Sequence, residues 1–385
     1  MQNQNWRCFS RVIAVATVAL LVVSFTTLAM AQRAGQFTST SAKVGEAAAT
    51  VAYWTPERLA AAVPMDLARP NTGAVRMAAP ATASGTPSRA GGYSALTGQV
   101  NEPQGTHFAG ATPNENAPLD GPYPGPNNTF FVGNPPGTPA YNRYPLSTVG
   151  KLFGHDPVSG GNFSCTATVT VGNSSVLNVI WTAGHCTANG GAGYFYNNFL
   201  FCPELKGSGK PVGCWAWNGS ATVFTVWINN GDLTRDEGVI SLNHTGTKFA
   251  SDVAAVVGGL GFAWNWGRDQ HWFHFGYPCV AVAGITPNWD CVHIGETVAE
   301  HRYDVNINGN SPFVNSWGSG QTEGSSGSAV QLFHSDAGGF INSNVSFYFT
   351  GGPNGNEHGI EIQGPYYDST VCSLWQFGTG YTGTC

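Results

Sequence analysis

Charge is scarce in this chain. Asp, Glu, Lys and Arg supply 10% of its residues and the net charge is −6, so the chain lacks the basic footprint that binds a phosphate backbone, and nucleic acid is not an expected partner. Cysteine pairs of the C-x2-C type are also lacking. That removes the usual signature of a zinc site, and neither a metal nor a cofactor is expected. No long segment shows 3.6-residue periodicity, which argues against a parallel sheet wrapped in helices. Beyond the first thirty or so positions no apolar run could span a bilayer.

The one long apolar run lies at the start. Arg7 and Arg11 form a basic flank, Val12 to Leu28 is mostly apolar, and Ala29-Met30-Ala31 offers a small-x-small cleavage site before Gln32. Residues 1–31 are predicted to be a signal peptide, and the protein to be secreted with no membrane attachment after its removal. Ser24, Thr26 and Thr27 interrupt the run, which speaks against a permanent anchor. Cys8 would leave with the signal, and the other eight cysteines form an even set suited to disulfides in an exported protein. Their number alone permits many pairings, but they fall into close successive couples. Cys165–Cys186, Cys202–Cys214, Cys279–Cys291 and Cys372–Cys385 are therefore expected.

Between residues 32 and 140 the composition differs from that of a packed domain, and from 101 to 140 proline and glycine are abundant. This stretch is predicted to be a pro-region and linker. Inside it Tyr53-Trp54 precedes Thr55-Pro56-Glu57-Arg58, where Thr55 can cap a helix that Pro56 opens, with the aromatic pair as a docking patch. From residue 141 to 385 the pattern becomes short β-rich runs separated by Gly, Asn and Pro: Thr166–Val171, Ser175–Thr182, Ala221–Ile228, Val239–Leu242, Ala329–Phe333 and Val345–Thr350. An all-β fold follows, and the length suits two small closed sheets better than one. A short C-terminal helix is expected after Asp368.

Two segments carry the chemistry. Gly324-Ser325-Ser326-Gly327-Ser328-Ala329-Val330 sets a serine between glycines, where tight backbone can aim amides at a carbonyl oxygen, and Thr182-Ala183-Gly184-His185-Cys186 supplies an imidazole. A lone histidine beside a cysteine is usually structural, and a Gly-Ser-Ser-Gly run is usually a flexible loop. Their joint occurrence, each beside a β-rich run, is what argues for a nucleophile and its base.

Together with Ser164-Cys165-Thr166-Ala167-Thr168-Val169 and Val179-Ile180-Trp181, these segments resemble the trypsin-like serine endopeptidases, particularly bacterial secreted and glutamyl-endopeptidase-like members. The resemblance covers about residues 146–350. It implies two antiparallel β-barrels with the active site in the cleft between them, and hydrolysis of peptide bonds through an acyl-enzyme. His185 would be the base and Ser326 the nucleophile. Asp236, two positions before a small residue that opens an apolar strand, would orient the imidazole, with Asp232 and then Asp252 as weaker choices. The amides of Gly324 and Ser326 would form the oxyanion hole, and a Cys165–Cys186 bridge would restrain the loop carrying His185. Val345, Ser346, Phe347 and Tyr348 would line the cleft and pair with substrate. Glutamyl-specific relatives carry a histidine in that strand; here none lies between Ile341 and Thr350, and His334 and His358 are too loosely placed to support an acidic preference.

The resemblance also has a departure. Ser325 stands where vertebrate digestive relatives have an aspartate that pairs with a freed N-terminal ammonium, and no Ile-Val-Gly-Gly start exists. Activation by loss of the pro-region without such an ion pair is expected, giving a monomer that acts on protein or peptide substrates and binds its own pro-region beforehand. Two other readings compete. An esterase using Ser326, Asp336 and His358 lacks the G-x-S-x-G elbow, because Ser328 fills the last glycine position. A catalytically inactive relative serving as a binding or adhesion protein would keep the fold without the chemistry.

Overall fold

A computed structural model describes residues 35–70, 74–77, 85–94, 98–99, 130–133 and 144–385, apart from 174, 269, 283–288, 308, 310–311, 336–337 and 351–357. The expected signal peptide, most of the proline-rich stretch and Asp336 lie outside the described residues.

The first half of the fold is a closed six-stranded antiparallel barrel. Val149–His155, Asn162–Val169, Val179–Thr182, Gly238–Leu242, Trp215–Phe224 and Asn197–Pro203 follow one another around it, and the last pairs back onto the first. Asp156 sets up the opening hairpin, since its carboxylate accepts the Val158 N–H at 2.9 Å in an Asx turn. Leu152, Ala167, Val169, Ile180, Phe201 and Ile240 fill the interior. The second half is built on an eleven-stranded sheet containing Gly259–Trp264, His271–Gly276, Gly295–Ile307, Val314–Gly318, Ala329–Ser335, Gly338–Asn344 and Glu361–Gly364. The two halves meet over a shared core in which Trp181 packs on Phe262 at 4.9 Å and Phe262 stacks on Trp375 at 5.1 Å.

All four expected disulfides are present: Cys165–Cys186, Cys202–Cys214, Cys279–Cys291 and Cys372–Cys385. The helix expected after Asp368 spans Ser369–Thr379, and the Asp368 carboxylate caps it by accepting from Thr370 N–H at 2.9 Å and Val371 N–H at 3.0 Å. Among the described residues no helix is long and apolar enough to cross a membrane.

Several strand expectations overrun: Ser175–Thr182 is extended only from Val179, and Val345–Thr350 only from Tyr348. Of Ala221–Ile228, only the part up to Phe224 is extended, and Thr225–Asn230 forms a helix closed by Gly231 in the left-handed region at φ 65°. Thr225, Val226 and Ile228 have strand-forming side chains, but the helix buries Trp227 and Ile228 together, and that packing outweighs propensity.

The region before residue 140 is more involved than its composition suggests. Phe37–Ser39 adds an edge strand to the first barrel beside Trp215–Phe224. Thr55 caps Pro56–Ala60, accepting from Arg58 N–H at 3.3 Å, and Trp54 is buried with its indole N–H donating to Asn198 O at 2.6 Å. Ser88–Ser94 pairs with Gly259–Trp264 in the second sheet.

Candidate active site

His185 follows the strand Val179–Thr182 in a single 3-10 turn, Gly184–Cys186. Asp236 precedes the neighbouring strand Gly238–Leu242, whose pairing with Val179–Thr182 brings the two side chains together across 51 residues. Both carboxylate oxygens are engaged. Oδ1 accepts the main-chain N–H of His185 at 2.6 Å, and Oδ2 lies 2.8 Å from His185 Nδ1. Asp236 is 0% exposed, and an anion buried so deeply requires such donors. Ser346 Oγ also donates to Oδ2, and Asn344 Nδ2 donates to the main-chain O of Asp236 at 3.1 Å. The remaining ring nitrogen, His185 Nε2, is buried and makes no hydrogen bond.

Of the three aspartates considered from sequence, Asp236 is the one bonded to His185. Asp232 caps the turn Leu233–Arg235 through Thr234 N–H, and Asp252 pairs with His244 at 2.6 Å. Glu237, next to Asp236, is fully buried, and burial pushes its carboxyl well above the ordinary carboxylate value.

Ser326 comes from the other half of the molecule, in the loop before Ala329–Ser335. Two contacts tie that loop to the first barrel: Thr166 N–H donates to Ser326 O at 2.8 Å, and Thr166 Oγ1 donates to Gly324 O at 2.9 Å. Within the barrel, the Cys165–Cys186 bridge links the residue beside Thr166 to the residue beside His185. Gly327 explains how closely the loop can approach. At φ +83° a side chain there would be strained, and its Cβ would sit 2.0 Å from Thr182 Oγ1 and 2.8 Å from Ala183 N. Gly324, at φ +88°, has no more room: a Cβ would meet Cys279 Sγ and Tyr277 O, each at 2.6 Å. Ser325 is buried and donates to Gln321 Oε1 at 2.6 Å, a neutral pair.

No protein-family model matches this chain, and no curated protein sequence matches it. Solved structures do. A thermostable serine protease, AL20, from an extremophilic microorganism shares 25% identity at a TM-score of 0.51, over 61% of this chain and 98% of its own. Protease Anisep from Arthrobacter nicotinovorans shares 23% at 0.51, over 61% and 96%. The fold is that of the trypsin-like, chymotrypsin-fold serine proteases. Within this trypsin-like fold, His185 and Asp236 belong to the first barrel and Ser326 to the second sheet, and the main-chain O of Ser326 lies 3.5 Å from Sγ of Cys186, the residue next to His185.

The segment expected to line the cleft is divided in its roles. Val345 and Phe347 are buried in the core, and Ser346 turns inward to Asp236. Tyr348 opens Tyr348–Thr350, the only part of the segment in a strand, which pairs in parallel with Ala68–Pro70. Two residues gain places that spacing alone did not assign. His358 lies against Tyr348, ring centroids 4.8 Å apart, and pairs with Glu323 at 2.7 Å. Asn344, which reads in the sequence as part of an N-x-S sequon, instead holds the backbone of Asp236.

Proposed function

We propose that this protein is a secreted serine endopeptidase, made as a precursor, that cleaves peptide bonds with Ser326, His185 and Asp236. Ser326 Oγ attacks the peptide carbonyl while His185 Nε2 takes its proton. His185 then gives that proton to the leaving amine, and water releases the acyl group by the same route reversed. Asp236 holds the ring through Nδ1 and stabilises the imidazolium. The N–H groups of Gly324 and Ser326 receive the developing oxyanion, a contribution worth about 10²–10³ in turnover per donor. No cofactor enters this chemistry, and the enzyme acts as a monomer on protein or peptide substrates.

The observation that carries the reading is the double hold on His185. Asp236 fixes both its main-chain N–H and its Nδ1, which leaves Nε2 as the only ring nitrogen open to a hydroxyl. Four disulfides support an extracellular setting. The test is a fluorophosphonate probe on protein freed of residues 32–140, followed by peptide mapping and a peptide library. Label on Ser326 with cleaved peptides is expected. An unlabelled protein would favour the inactive binding protein, and label without peptide cleavage would favour an esterase.

A further inference from the structure

The chain itself runs through the cleft. Val63–Pro64 pairs in parallel with Phe163–Ser164, and Met65 N–H donates to Ser164 O at 2.8 Å. The carbonyl of Met65 then accepts the N–H of Gly324 at 3.1 Å, and that of Leu67 accepts the N–H of Tyr348 at 3.2 Å. Ala68–Pro70 continues as a strand parallel to Tyr348–Thr350. Between these anchor points the side chain of Asp66 hydrogen-bonds Tyr348. A carboxylate oxygen of Asp66, one of Glu323 and a ring nitrogen of His358 all lie within 4.8 Å of one another.

Two functions assigned to the cleft are thereby in use. The Gly324 amide, assigned to the oxyanion, already donates to a peptide carbonyl, and the backbone of Tyr348, expected to pair with substrate, already pairs with this segment. We propose that residues 63–70 are a built-in competitive inhibitor of the cleft, anchored by Asp66, and that activity requires their displacement, which a cut elsewhere in the chain does not by itself bring about. The proposal rests on the reading of the site given above and adds the identity of the blocking segment. A tethered ligand competes at an effective concentration in the mM range, so a segment with an intrinsic Kd of about 0.1 mM would leave roughly a tenth of the molecules open. The contact is also pH-dependent. Burial is the main cause raising the Asp66 carboxyl, with Glu323 adding to it and Tyr348, His358 and His185 opposing it. The docked segment therefore favours protonated Asp66 and loosens as pH rises through that raised value.

The experiment uses the full-length chain. Fluorophosphonate labelling of Ser326 should be slow in the unaltered protein and at least about fivefold faster in Asp66→Ala, given the roughly tenfold closure above. A peptide spanning residues 61–72, added in trans, should slow the variant again, and the ratio of variant to wild-type rates should shrink as pH rises. Equal labelling of the two proteins at Ser326 would overturn the inhibitor while leaving the protease reading intact, as would cleavage of the peptide between Met65 and Asp66 as fast as an ordinary substrate. Binding of fluorescent 61–72 to the double variant Asp66→Ala, Ser326→Ala needs no chemistry. Saturable binding there with no labelling of any Ser326-containing form would retain the occupant and refute the protease.

Discussion

Thr166 holds Ser326 by its main chain, its N–H donating to the Ser326 carbonyl at 2.8 Å, although the two residues belong to different halves of the molecule. Its hydroxyl also serves the same loop, donating to Gly324 O at 2.9 Å while accepting Tyr277 N–H at 3.0 Å. Thr166→Val keeps the shape and removes only the hydroxyl's bonds. Two buried backbone groups then lose partners, so a stability loss of about 2 kcal/mol is expected by chemical denaturation. Thr166→Ser should recover most of it.

Asp236 and Ser346 divide one task unequally. Asp236→Asn leaves the ring in place but offers it the wrong hydrogen-bonding partner, and peptide turnover by the activated protein should fall about 10⁴-fold. Ser346→Ala removes one donor to a carboxylate that retains its two bonds to His185. A loss of about tenfold is expected, matching one charge-assisted hydrogen bond of about 1.5 kcal/mol. Comparable losses from the two variants would refute this division.

Ser325 makes a neutral buried pair with Gln321, with no ion pair to be completed by a new N-terminus. Extra residues on the mature N-terminus should therefore change kcat/KM by no more than about twofold, the scale of a surface change. Ser325→Asp would instead bury a charge facing an amide, at a cost of several kcal/mol, visible as a lower Tm.

Glu204 provides a pH test remote from the chemistry. Burial pushes its carboxyl up to about 7, so the folded protein holds a proton that the unfolded chain releases. Its contribution to stability is complete below the ordinary carboxylate value and is lost as pH rises through about 7. Glu204→Gln should flatten the decline in Tm between pH 5 and pH 8 and be the more stable protein at the upper end, by on the order of 1–3 kcal/mol. An unchanged pH slope would rule Glu204 out as its source.

The parts of the site that were legible in the sequence are those whose signals are local. Gly324 and Gly327 flank the serine because the backbone there has positive φ and no space for a Cβ, and a requirement of that kind leaves glycine in the sequence. Asp236 could be picked out because the strand that positions it begins two residues later. For Ser346 the sequence offers only a place in the lining segment, because nothing nearby reveals that its hydroxyl turns to Asp236. His358 has no legible place for a similar reason: its position beside Tyr348 depends on how a loop folds back, and spacing carries no record of that. Residues 63–70 form only two short strands, each paired in parallel with a distant segment, and so leave no periodic pattern to read.

The strand Ser88–Ser94 has a consequence for what a maturing protease would look like. It is hydrogen-bonded along Gly259–Trp264, and Phe37–Ser39 is similarly bonded to the first barrel. A single cut between residues 99 and 130 would therefore yield a nicked, two-chain particle whose pieces stay zipped together. Such a species would still run as one molecule by size and separate only under denaturing conditions. Cutting and release would then be distinct events, each open to its own control.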